Sequence, residues 1–188
     1  MSKPFLSEKE LVQGCIRRDR DAQQELYARY AARLYTLCLR YVGDSEESRD
    51  LMHDSMIKAM DSFRSFSYSG DGSLYAWLRR LTVNVVIDRL RQMSKLRLVP
   101  LDQTMETGNP EADDNAADDI PAQVLMDLVA SLPSVRRTVF NMYCIDGFSH
   151  KDIAAAIGIT EKGSASILAK ARTQLKSQVN DYLKRTGR

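Results

Sequence analysis

The stretch FSHKDIAAAIGITEKGSASILAKARTQLK, Phe148 to Lys176, decides how the second half of this 188-residue chain is built. Ser149 is a good N-cap with Asp152 three positions on, so a short helix begins there with Ile153, Ala154 and Ile157 turned inward. Gly158 permits the left-handed turn that ends it, Ile159 plugs the corner, and Thr160 caps the next helix. A small residue at the crossing, glycine in the turn and an apolar residue after it match a helix-turn-helix, whose second helix enters the major groove. A plain helical hairpin is the alternative. On the second helix Lys162, Ser166, Lys170 and Arg172 reach phosphates or bases, while Gly163, Ala165 and Ala169 offer only close approach or a thymine-methyl contact. Ile167 packs inward. Such a helix holds its groove through backbone contacts and fit.

Working outward, nearly everything else outside one connector reads as helix. In the second block Pro133 suits a first helical turn, and SVRRTVFNMYCIDG forms one helix ending at Gly147. In the first block Leu26, Tyr30, Leu34, Leu37 and Tyr41 recur at steps of three or four, and that helix stops at Gly43. Asp44 followed by Glu47 resembles a capping box, opening a helix whose buried stripe is Met52, Met56, Met60 and Phe63. FSYSGDG, Phe66 to Gly72, is a loop with an aromatic tip, and Ser73 caps the long helix that follows to Lys95. No segment alternates like a strand. The class is all-α: two small helical domains joined by an acidic flexible linker, with boundaries at 1–98, 99–120 and 121–188, the helix-turn-helix lying in the second domain.

Charge follows the same division. Met1 to Leu101 carries 17 basic against 13 acidic residues, Asp102 to Asp119 carries 7 acidic and no basic ones, and Ile120 to Arg188 carries 10 basic against 5 acidic. Two basic blocks flanking an acidic connector point to domains that each meet a polyanion; ordinary solvated helix faces are the bland alternative. The connector, LDQTMETGNPEADDNAADDIP, has almost no apolar residues and no period. It is a spacer, or else a weak internal competitor for a basic surface. No run approaches the roughly 18 apolar residues of a membrane span, and the N-terminus has no apolar h-region before a small-residue cleavage site. A soluble, cytoplasmic protein without membrane insertion is expected. Cys15, Cys38 and Cys144 are odd in number and widely spaced, as suits reduced thiols. No metal or cofactor is expected. With His53 and His150 far apart and no glycine-rich phosphate loop, neither is an enzyme.

On the helix from Ser73, Leu74, Leu78, Leu81 and Val85 form one apolar stripe, and Val83, Val86, Ile87 and Leu90 another. Between them runs Trp77, Arg80, Asn84, Asp88, Arg91 and Lys95. The chain's single Trp among cations and an amide is either a stacking surface for unpaired bases or a core residue covering a bundle end. Arg80, Arg91 and Lys95 suit phosphate; Asn84 suits a base edge or a neighbouring backbone group.

Three stretches in this order, EESRDLMHDSMIKAM (46–60), FSYSGDGSLYAWLRRLTVNVVIDRLR (66–91) and SLPSVRRTVFNMYCIDGFSHKDIAAAIGIT (131–160) running on to ILAKARTQL, resemble the extracytoplasmic-function (ECF) family of bacterial sigma factors. The resemblance implies a region 2 domain that docks on the β′ clamp of core RNA polymerase and opens the minus-ten element. It also implies a region 4 domain that binds the β flap and reads the minus-thirty-five element. Promoter DNA and core polymerase are then the partners, with an anti-sigma factor as a further possibility. Asp50 and Asp54 match the acidic positions of the clamp-binding helix and form an exposed row with Lys58, a row that is otherwise an ordinary solvated face. Ser67 to Ser73, with Tyr68 and Asp71, matches the loop that captures a flipped-out base. Flipping costs a few kcal/mol of stacking, which a shaped pocket must offset. Trp77, Arg80 and Asn84 match the family's W-L-x-R and V-N positions. In region 4 the family continues G-T-S-K-S or G-T-V-K-S; here Lys162, Gly163, Ser164, Ala165 and Ser166 stand in its place, so Ser164 and Ser166 fit and the Thr and Lys are gone. Thr160, Lys162, Ser164, Ser166, Lys170 and Arg172 are therefore the minus-thirty-five candidates. Tethering to polymerase raises the effective concentration of each weak contact, so region 4 need not bind tightly alone. A dimeric helix-turn-helix regulator outside the holoenzyme would explain residues 131–176 and leave the aromatic loop and the Trp77 strip without a role.

Overall fold

A computed structural model describes residues 6–93 and 120–186, and among these there are helices and no strand. The chain divides into two compact units, Met1–Arg89 and Leu90–Arg188, the cut falling in the last turn of a helix. Residues 99–119 of the expected linker and Lys95 lie outside the described residues, while Ile120, the last residue of that expected linker, is buried.

The first unit begins with α1, Glu8–Ile16, closed by a capping box in which Ser7 and Glu10 bond reciprocally. α2, Arg20–Val42, starts from the Asp19 carboxylate, which accepts from the Ala22 amide at 2.9 Å, and stops at Gly43 in the left-handed conformation. The five residues expected along its stripe, Leu26, Tyr30, Leu34, Leu37 and Tyr41, are all buried. α1 lies close against α2: a Cβ on Gly14 would sit 2.4 Å from that of Ala22. α3, Ser45–Ser62, opens on Asp44, which accepts from the Glu47 amide at 2.8 Å. Met52, Met56 and, in the 3-10 turn Phe63–Ser65, Phe63 are buried as expected, while Met60 is half-buried.

α4, Ser73–Gln92, buries one broad arc instead of two separate stripes. Leu74, Leu78, Val83, Val86, Ile87 and Leu90 are joined through Thr82, which is fully buried, while Leu81, which borders the exposed strip, and Val85 are only half-buried. Burial pushes the thiols of Cys15 and Cys38 up to about 11 and about 12, which keeps both protonated and unreactive.

The second unit holds α5, Ala122–Ala130, α6, Ser134–Phe140, α7, His150–Ile157, and α8, Glu161–Thr186. Pro133 is the N-cap of α6, one place before the helical turn expected of it. The helix expected to run unbroken to Gly147 widens at Asn141–Ile145 into a π turn. There the Asp146 amide reaches back to the Asn141 carbonyl at 2.9 Å and the Phe148 amide to Met142 at 2.9 Å. α7 and α8 form the expected helix-turn-helix. Ser149 and Asp152 make a capping box, and Gly158 has φ 75. The amides of Gly158 and Ile159 both return to the Ala154 carbonyl, and Thr160 Oγ1 accepts from the Gly163 amide at 3.0 Å.

Candidate nucleic-acid interface

The loop of residues 66–72 and the exposed strip of α4 form the first surface. Phe63, Phe66 and Trp77 pack together, the Trp77 centroid lying 5.2 Å from Phe63 and 4.9 Å from Phe66. Trp77 is half-buried, so it covers the end of the core while part of its ring stays open. Of the two sequence readings, the packing shows the one in which Trp77 covers the end of the bundle. Along the same strip Arg80, Asn84, Asp88 and Arg91 are exposed. Behind it Arg33 sits 3.8 Å over the ring of Tyr75, which stacks on Tyr30.

Gly70 at φ 118 and Gly72 at φ 89 shape the loop in backbone conformations that side chains rarely adopt. Tyr68 donates to Asp71 at 2.7 Å, a bond that raises the phenol pKa, and Ser67 and Ser69 are exposed. Ser73 does not cap α4 as expected; it is the first helical residue. The Glu8 carboxylate of α1 caps instead, accepting from the amides of Gly72 and Leu74 at 2.9 Å each and from the Ser73 hydroxyl at 3.4 Å. No local pattern points to Glu8, because its partners lie more than sixty positions away.

A second surface lies on α3. Asp50, Asp54 and Lys58 are exposed as expected, and Ile57 beside them is 63% exposed. A pocket of about 260 Å³ is lined by Glu47, Asp50, Leu51, His53, Asp54 and Arg89, with Arg89 3.6 Å from Glu47. His53 meets the hydroxyl of Tyr27, itself 43% exposed, at 3.1 Å. Tyr27, Ile57 and Arg89 did not enter the sequence reading. Ile57 was detectable there as an apolar residue off the buried stripe.

The third surface is the outer face of α8. Lys162 and Arg172 are exposed, Ser166 and Lys170 half-buried, and the exposed Thr160 uses its hydroxyl on the Gly163 amide. Ser164, expected at DNA, is 0% exposed, and its hydroxyl lies 3.0 Å from His150 Nδ1. At about 100° per residue Ser164 stands roughly 200° around the helix from Lys162, on the side of buried Ala171. By the same geometry Thr173 and Lys176, both exposed, share the Lys162 face and were missed, although the spacing already carried the signal. The π turn presents Tyr143 to this region: its ring stacks on His150 at 4.4 Å, with the Arg172 guanidinium 5.9 Å above it and 3.7 Å from Cys144 Sγ. No described helix is long and apolar enough to cross a membrane.

Comparison with known proteins matches the family model for sigma-70 region 2 to residues 26–95 and that for sigma-70 region 4 to residues 122–175. The chain is 30% identical to the ECF RNA polymerase sigma factor SigM of Mycobacterium tuberculosis, over 90% of this chain and 83% of that protein. It is 27% identical to the ECF RNA polymerase sigma-E factor of Salmonella typhimurium, over 96% and 98%. Among solved structures it resembles the sigma factor RpoE in complex with the anti-sigma factor NepR from Bartonella quintana (TM-score 0.52, 18% identity, 86% of this chain and 98% of that one). It also resembles CnrH in complex with the cytosolic domain of CnrY (TM-score 0.51, 20% identity, 93% and 97%). At those identities the structures show a shared fold.

Proposed function

Because the chain belongs to the ECF family of RNA polymerase sigma factors, we propose that it joins core polymerase, directs it to a specific promoter class and promotes melting of the minus-ten element. The observation that carries this is the match of both blocks, in order, over most of the relatives' length. A stand-alone dimeric regulator would account for the second block only. Residues 1–98 serve as region 2, 99–120 as linker and 121–188 as region 4, acting in the cytoplasm.

In this reading the exposed row of Asp50, Asp54 and Lys58, with Ile57, meets the β′ clamp, and region 4 meets the β flap. The Ser67–Ser73 loop and Trp77 receive a flipped base, Asn84 meets a base edge, and Arg80, Arg91 and Lys95 hold phosphates. Lys162, Ser166, Lys170 and Arg172 sit at the minus-thirty-five element, with Thr160 as a cap. Phosphate contacts dominate such binding, so affinity should fall steeply with salt. The RpoE structure contains the bound anti-sigma factor NepR, which supports an anti-sigma factor as partner here also.

Run-off transcription with core polymerase and templates selected from a random library tests the reading. A promoter-dependent transcript that needs this protein is expected. Failure on every selected template would sink it.

A further inference from the structure

We propose that Glu8 is a positioning residue for base capture, bracing the loop of residues 66–72 from outside the segment that carries it. The proposal rests on the reading above that this loop receives a flipped base. Glu8 lies ahead of the residues matched to region 2. Three observations lead to it. First, the start of α4 leaves amide donors without helical partners, and the local acid, Asp71, is turned to Tyr68. Glu8 supplies the missing carboxylate, which the helix dipole favours at an N-terminus.

Second, α1 is a fixed platform. Its Leu11, Val12 and Cys15 are buried. The Leu6 amide ahead of it bonds Glu25 at 3.0 Å, and Arg29 bonds the Leu6 carbonyl at 2.7 Å. Third, the other end of the loop is held by Phe66 against Phe63 and Trp77. Between these two anchors residues 67–71, which include the conformationally permissive Gly70, carry local bonds: Tyr68 to Asp71, the Ser69 amide to the Ser73 hydroxyl, and the Ser73 amide to the Gly70 carbonyl. A receiving loop held this way loses less conformational entropy when a base enters, so removal of one anchor weakens capture without touching the base.

The test uses full-length Glu8→Ala and Glu8→Gln in holoenzyme. The probe is a promoter selected by the wild-type holoenzyme, with each non-template minus-ten base replaced in turn by an abasic site. With the wild type, one position should stand out as the captured base. On the intact promoter Glu8→Ala should open roughly fivefold less well, the size of a lost helix cap. Glu8→Gln should lose less, since its amide oxygen still accepts. On the promoter abasic at that position, both should equal the wild type, with core-polymerase affinity unchanged throughout.

A defect that persists on the abasic promoter, or falls together with polymerase affinity, makes Glu8 a folding residue only and overturns the proposal, as does no defect at all. If circular dichroism shows Glu8→Ala unfolded, Glu8→Gln decides by the same comparison. A wild type with no sensitive position refutes base capture itself and the proposal with it, while a sensitive wild type with indifferent variants refutes only the role of Glu8.

Discussion

Ser164 and Ser166 stand two positions apart on α8, and about 200° of rotation separates them in consequence. The first is sealed against His150; the second is half-buried on the outer face. Ser164→Ala should lower stability by about 1 kcal/mol, the value of one hydrogen bond, and leave minus-thirty-five binding intact. Ser166→Ala should do the reverse, keeping stability within about 0.5 kcal/mol while weakening binding. Thermal melts and binding titrations of holoenzyme on promoter DNA check both, and exchanged outcomes would refute the assignment. The family's pattern is matched at both serines, and only burial tells them apart. Trp77 is a similar case: its residue type marked an aromatic surface, but the partners that hold the ring, Phe63 and Phe66, come from a different element.

Helices are joined here by two kinds of device, and only one kind is local. The caps of Ser7, Asp19, Asp44, Ser149 and Thr160 act within three residues, and of these the sequence marked Asp44, Ser149 and Thr160, while Ser7 and Asp19 were passed over. The Glu8 cap of α4 and the π turn after α6 were not legible, since each depends on packing against chain that is remote or on a register change with no residue signature. Close approach of α1 and α2 is of the second kind too. Gly14→Ala places a Cβ 2.4 Å from Ala22 Cβ, so the helices must separate. A loss of about 1–3 kcal/mol is expected, read as a lower urea midpoint at unchanged slope. A gain, as from relieving glycine's helix penalty, would show that the pair has room to spare.

At the scale of the whole molecule, the proposed linker has Glu106 and Glu111 but no Lys or Arg between Asp102 and Asp119. A Glu-specific protease should therefore cut there first and release two folded fragments, whereas trypsin should spare this stretch. Each fragment alone should bind its promoter element far more weakly than the intact chain does in holoenzyme, because cutting removes the effective concentration supplied by the tether. Rapid cleavage elsewhere, or a single resistant core spanning both blocks, would contradict the domain boundaries. The all-α class, the turn at Gly158 and the stripe of α2 were legible in the chain, since these rest on periodicity and on contacts a few residues apart, and the family was legible in the order of its three motif stretches. Tertiary structure alone decided that Glu8 caps α4, that Ser164 faces inward and that Tyr143 meets His150. Those pairings join groups on different elements, from 7 to 66 positions apart, and side-chain chemistry sets what each group needs without specifying which neighbour folding will bring to it.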